Sequence, residues 1–177
     1  MLSIAKLVAR AEDYYLRTVA TGREEYYIGA GESAGYWLGK GSRLLGLDGE
    51  VAPADLRAVL AGVSPEGEIL TKAGVAERSR VAGFDLTFSA PKSVSLLYGL
   101  SDRDVSATVR AVHADAVAQA LDYLERRALI VRRGHGGLTR IGAQGLVGAA
   151  FLHRTSRAGD PQLHTHVLVA NVAQGAE

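Results

Sequence analysis

The sequence predicts an α+β fold in which an antiparallel-rich sheet carries helices packed on one face. Three observations lead there. Helical patterns come first and a run of short strands follows, the order expected of segregated α and β elements. Gly83-Phe-Asp-Leu-Thr-Phe-Ser89 alternates strictly, with Phe84, Leu86 and Phe88 on one side and Asp85, Thr87 and Ser89 on the other. A length of 177 residues with 47% hydrophobic content suits one domain, residues 1–177, with enough chain to bury a core.

In chain order, residues 4–15 suit a helix, because Ile4, Leu7, Val8 and Ala11 form one stripe. The glycine-rich stretch Gly29–Gly49 reads as irregular, apart from what Tyr36 and Trp37 anchor. Pro53–Leu60 reads as a short helix, with Pro53 in its first turn and Gly62 as its stop. Beyond the alternating strand and Pro91, a second short helix runs from Lys92 to Tyr98. A long helix follows to about Glu125, capped by Ser101 with Asp104. Its stripe is Val105, Val109, Val112, Ala116, Leu121 and Leu124. Leu129–Arg133 and Leu138–Ile141 read as short strands broken by Gly134–Gly137. Gln144–His153 and Leu163–Asn171 read as longer strands joined by a polar loop.

Composition removes several classes of function. With no cysteine, disulfides, iron–sulfur clusters, cysteine–zinc sites and thiol catalysis are excluded. No apolar run approaches the roughly 18 residues of a membrane helix. Lys6, Arg10, Glu12 and Asp13 break any signal-peptide pattern, so membrane insertion is not expected and a soluble, cytoplasmic protein is. The net charge of +1 is unevenly spread. Residues 1–125 hold 13 basic against 17 acidic side chains, whereas residues 126–159 hold seven arginines and no acid. A solvated charged face normally mixes both signs, and a one-signed segment favours a polyanion partner.

Chemistry concentrates in three places. His164-Thr-His166 on a strand puts two imidazoles on one face, and an antiparallel return would bring His153 beside them. Three imidazoles make a metal site with open positions; ordinary core or surface histidines are the other reading. Tyr14-Tyr15 and Tyr26-Tyr27 are packing residues or nucleophiles. Ionising a tyrosine at pH 7 costs about 4 kcal/mol, which a neighbouring cation must offset. Asp85 is either solvated or orients a metal-bound histidine.

These residues together resemble conjugative relaxases of the TrwC/TraI type, within the His-hydrophobic-His endonucleases. The resemblance rests on Gly83-Phe-Asp-Leu-Thr-Phe-Ser-Ala-Pro-Lys-Ser-Val-Ser95, the paired tyrosines, and His153 with Asp160-Pro-Gln-Leu-His164-Thr-His166. Met1-Leu-Ser3 and Gly39-Lys-Gly41 also match the family's start. The resemblance implies a metal-dependent, site- and strand-specific DNA endonuclease and strand transferase acting through a 5′-phosphotyrosine. It implies Tyr14 as first nucleophile, Tyr26 as second, and Tyr15 and Tyr27 as their partners. His153, His164 and His166 would hold a divalent ion, Mn²⁺ or Mg²⁺, with Zn²⁺ or Ni²⁺ able to occupy the site. Asp85 would orient a histidine or assist tyrosine deprotonation. Arg132, Arg133, Arg154, Arg157 and Lys92 would meet DNA phosphates. Single-stranded transfer-origin DNA is the implied partner, with accessory relaxosome and coupling proteins around it. Thr165 replaces the usual hydrophobic residue between the histidines, and the family's domain continues past the position of Glu177, so an N-terminal portion is expected. A DNA-binding module without cleavage and a small-molecule metal hydrolase remain as other classes.

Overall fold

The computed structural model describes residues 1–8, 35–71, 81–134, 137–156 and 158–176. Its elements are β1 (Leu2–Val8), β2 (Tyr36–Leu38), α1 (Lys40–Leu44), α2 (Pro53–Ala61), β3 (Val81–Ser89), α3 (Lys92–Leu100), α4 (Arg103–Arg127), β4 (Ile130–Arg133), β5 (Thr139–Gly142), β6 (Gly148–Thr155) and β7 (Pro161–Ala170). Five strands form one sheet in the order β1-β3-β7-β6-β2, with every pairing antiparallel. The expected α+β class is therefore what the chain adopts. β4 and β5 form a separate two-stranded ribbon.

Helices cover both faces of the sheet, not the one expected. On one face, Leu56, Val59 and Leu60 of α2 join Ala149, Phe151, Leu168 and Ala170 in a buried cluster with Leu7 and Trp37. On the other, Val117 and Leu121 of α4 meet Leu86, Phe88, Ala150 and Val167. The strict alternation in β3 is legible in this second cluster, which takes Leu86 and Phe88, with Phe84 at its margin.

The expected helix over residues 4–15 is a strand as far as Val8; residues 9–15 lie outside the described residues. Ile4, Leu7 and Val8 satisfy a helical spacing, but a short apolar run is ambiguous between the two periods. The edge of β3 decides it, pairing Leu2 with Phe88 and Ile4 with Leu86. In the stretch expected to be irregular, β2 instead adds a short edge strand against β6 and α1 supplies a single turn.

Two helices show why their ends fall where they do. α2 starts with Pro53, whose fixed φ suits the first turn, and stops at Gly62, which takes a left-handed φ of 82°. α4 is capped by Asp102, whose carboxylate accepts from the Val105 amide at 2.9 Å, and not by the expected Ser101. Ser101 is already engaged as the end of α3, its amide donating to the Leu97 carbonyl. The buried stripe of α4 keeps Leu121 of the expected one, with Leu124 at the margin of the core, and departs from it elsewhere. Val105 and Val112 are exposed, and Val117 and Leu121 make the core contacts.

Candidate metal centre and nucleic-acid interface

β6 and β7 form the hairpin that carries the three histidines, with His153 directly opposite His164 and Phe151 opposite His166. Alternation then puts all three imidazoles on one face of the sheet. Their ring centroids lie 5.2 Å apart for His153–His164, 5.4 Å for His153–His166 and 5.2 Å for His164–His166. A metal–nitrogen bond of about 2.0–2.1 Å plus about 1.2 Å to the ring centre, at a tetrahedral angle, separates centroids by about 5.2 Å. The spacing thus fits one shared ion. As the rings stand, no three His, Cys, Asp or Glu side chains among the described residues already converge on one coordinating point. Backbone register sets the spacing, and ring rotation is what binding would have to adjust.

Two of the rings have their tautomer set from behind. Nδ1 of His164 lies 2.9 Å from the Gln162 carbonyl, which can only accept, so Nδ1 is the donor. Nδ1 of His166 lies 2.9 and 3.0 Å from the two oxygens of Asp85. A proton held on Nδ1 leaves Nε2 as the nitrogen whose lone pair could meet a metal ion. Asp85 reaches His166 diagonally, since the residue directly opposite His166 on β3 is Thr87. The carboxylate is buried, which removes the solvated reading of that residue. Thr87 completes the group: its hydroxyl donates to Asp85 at 3.4 Å and lies 3.2 Å from His166 Nδ1.

The segment after β3 locks the hairpin in place. Ser95 of α3 is buried, donates to the Pro91 carbonyl and accepts from the Leu163 amide at 3.0 Å, beside His164. Lys92 forms an ion pair with Asp160 in the hairpin loop and donates to the Pro161 carbonyl at 3.0 Å. Asp160 also accepts from the Ser156 hydroxyl, and the two bonds hold its carboxyl below the usual range, Lys92 contributing most. Ser-Ala-Pro-Lys-Ser-Val-Ser is therefore a clasp on the histidine hairpin. Lys92 keeps about half of its side chain exposed while serving the loop.

The arginine-rich segment divides. Arg126 is ion-paired to Asp122 one turn earlier on α4, at 2.8 Å. Arg132 and Arg133 lie exposed on β4, with Arg132 directly opposite Arg140 of β5. Like charges opposed across a ribbon repel, and a bound anion relieves that repulsion. Arg154 follows His153 on β6. Tyr14, Tyr15, Tyr26, Tyr27 and Arg157 lie outside the described residues.

The TrwC relaxase family model matches residues 8–177. The chain belongs to the TrwC relaxase family. Its relatives include the multifunctional conjugation protein TraI of Escherichia coli, 37% identical over 174 residues, which are 97% of this chain and 9% of TraI. TraI of E. coli strain K12 is 36% identical over 98% of this chain and 10% of its own length. The chain thus spans about a tenth of these relatives. Among solved structures, the conjugative relaxase TrwC in its metal-bound complex with OriT DNA matches with a TM-score of 0.77 and 37% identity, over 97% of this chain and 57% of that one. A copper-bound TrwC–OriT DNA complex matches with a TM-score of 0.79 and 36% identity, over 99% and 59%. TrwC complexed with a 27-mer DNA comprising the recognition hairpin and the cleavage site matches at 0.74 and 36%, over 97% and 55%.

The structure brings together the three histidines and Asp85 that the sequence singles out, and adds the residues that hold them, which the sequence does not single out. Thr87 was visible as the next same-face position after Asp85. Ser95 stands in the sequence only as the last residue of the Gly83–Ser95 motif, with no role attached, because its bond to Leu163 joins residues 68 apart. His113 of α4, which shares a hydrogen bond with Thr165, lay on a helical stripe with Val117 and Leu121 that the valine-rich alternative obscured.

Proposed function

We propose that this chain carries out metal-dependent, site- and strand-specific DNA nicking and strand transfer at a conjugative transfer origin, in the cytoplasm. The observation that carries the reading is the register of His153 opposite His164, with Asp85 behind His166, in a member of the TrwC relaxase family. The metal-bound complex of TrwC with OriT DNA supports the same use of the site here.

In this reading His153, His164 and His166 hold a divalent ion. When bound, the ion supplies Lewis-acid polarisation of the scissile phosphate and positive charge against which a tyrosine can ionise. Tyr14 attacks phosphorus through its phenolic oxygen. The new bond is O–P to tyrosine, the bond broken is P–O3′, and the products are a 5′-phosphotyrosine and a free 3′-hydroxyl. One phosphoester replaces another, so the step reverses and can rejoin a strand. Tyr26 attacks in a second transfer, with Tyr15 and Tyr27 as partners of the pairs. Asp85 keeps the His166 proton on Nδ1 and its lone pair on Nε2. Arg132, Arg133, Arg154 and Arg157 neutralise DNA phosphates, and Lys92, half-exposed and ion-paired with Asp160, adds positive charge at the hairpin loop. Mn²⁺, Ni²⁺ and Zn²⁺ suit three imidazoles better than Mg²⁺, which prefers oxygen ligands.

The test is a denaturing gel after incubation with single-stranded DNA from the element's own transfer origin. Wild-type chain should migrate as a covalent protein–DNA adduct, and Tyr14→Phe, which removes one oxygen, should not. Stability should barely change in that variant. An adduct that forms undiminished when all four paired tyrosines are phenylalanine would defeat the tyrosine mechanism.

A further inference from the structure

Thr165 sits between two of the proposed ligands, yet its side chain faces the other side of the sheet. It is buried, and its neighbours across the sheet are Phe88 on β3 and Leu152 on β6. A hydroxyl in such an apolar layer is costly unless it is hydrogen-bonded. Its bond is to Nε2 of His113 on α4, at 3.0 Å. His113 is half-buried, and burial, followed by the Met1 ammonium, holds its ring below the usual histidine range. The neutral ring is the form that the apolar side of the sheet favours.

The place of this pair in the helix–sheet contact gives it a role. Along α4, His113, Val117 and Leu121 recur at intervals of one turn, and Val117 and Leu121 pack in the cluster with Val167 and Leu86. Val112 and Val105, closer to the start of the helix, are exposed. His113 stands on the sheet-facing stripe one turn before Val117, and it meets β7 at Thr165. At the other end of the histidine segment, Ser95 holds Leu163. Because successive side chains on a strand point to opposite faces, clamping Thr165 from behind fixes the pleat that aims His164 and His166 forward.

We infer that His113 is a positioning residue of the metal centre, acting through the Thr165 hydroxyl to set the direction of the His164 and His166 side chains. The inference rests on the proposed ligand role of those histidines. His113 touches neither substrate nor ligand ring in this assignment; it acts on the strand that bears them.

The experiment compares wild-type chain with His113→Leu, His113→Gln and Thr165→Val by two readouts. One is the ring ¹⁵N resonances of His164 and His166 in metal-free protein. The other is calorimetric affinity for Mn²⁺. Glutamine puts its amide nitrogen near the position of imidazole Nε2 and can keep the bond, whereas leucine cannot. Thr165→Val removes only the hydroxyl and preserves shape, so it reports even if His113→Leu fails to fold. The expected result is that His113→Leu and Thr165→Val both shift the ring resonances and weaken Mn²⁺ binding by about fivefold or more, while His113→Gln stays within about twofold of wild type. Unchanged resonances and affinity in Thr165→Val, whatever happens to its thermal midpoint, would overturn the inference and leave the pair as packing. If wild-type chain binds no Mn²⁺, the metal reading fails, and the ring resonances alone decide whether the clamp exists.

Discussion

Asp85 illustrates how a single residue changes meaning with its surroundings. On an alternating strand it occupies the polar side, which in an open sheet would be wet. Here it is buried and holds the Nδ1 proton of His166 between its two oxygens. Asp85→Asn keeps the shape and removes the carboxylate that, in the proposed site, raises the basicity of the His166 ring. Mn²⁺ affinity should fall by roughly 10–100-fold, measured by calorimetry, with little change in the circular dichroism of the fold. Unaltered affinity would show that the carboxylate does not support the metal site. Asp160 makes a second residue-scale case. Its folded carboxyl is held below the usual value of 3.8, chiefly by Lys92 and then by Ser156. The stabilisation is therefore present above that value and is lost as pH falls through the lower folded one. Thermal midpoints measured from pH 5 down to 2 should fall more steeply in wild type than in Asp160→Asn. Parallel curves would remove the clasp on the hairpin loop.

The β4–β5 ribbon, as an element, stands apart from the main sheet and places Arg132 against Arg140. A two-stranded ribbon with like charges opposed gains little from its own pairing, and a polyanion would supply the missing counter-charge. Arg132→Glu with Arg133→Glu should weaken binding of transfer-origin DNA and flatten its dependence on salt by about two counterions. Wild-type affinity and salt slope in that double variant would place the ribbon away from the nucleic acid. The same scale shows how much could be read in advance. β3 and α2 are legible because their signals are local: strict alternation in Gly83–Ser89, and Pro53 in the first turn with Gly62 at the stop; β6 and β7 are legible as longer strands joined by a polar loop. β1 is not. Leu2–Val8 fits both periods, and only pairing with β3, more than 70 residues away, resolves it. The face of α4 is legible only in its second half, for a related reason. Leu121 and Leu124 of the expected stripe meet the core, but the valines at its start extend that stripe over Val105 and Val112, which are exposed, and the stripe leaves out Val117, which is buried. Hydrophobicity marks residues that can be buried, and the partner surface decides which of them are.

For the molecule as a whole, the fold brings distant segments of chain to one face. β3 contributes Asp85 and Thr87, β6 contributes His153, and β7 contributes His164 and His166. The histidine spacing and the residues implied for it were readable from sequence as a hairpin-compatible pattern. The support behind them was not, since Ser95–Leu163 and His113–Thr165 are contacts between elements with no shared sequence period. Helices pack on both faces of the sheet, so the strands that carry the histidines lie between two cores. In the proposed function, DNA cleavage depends on a metal ion held at this centre. The most direct measurement is the yield of covalent protein–DNA adduct as Mn²⁺ is titrated into metal-stripped protein, for wild type and for His164→Ala. Adduct should rise and saturate with Mn²⁺ in wild type, vanish on chelation, and remain absent or require far more metal in His164→Ala. An adduct yield indifferent to metal, or identical in the two proteins across the titration, would contradict metal-dependent cleavage at these histidines.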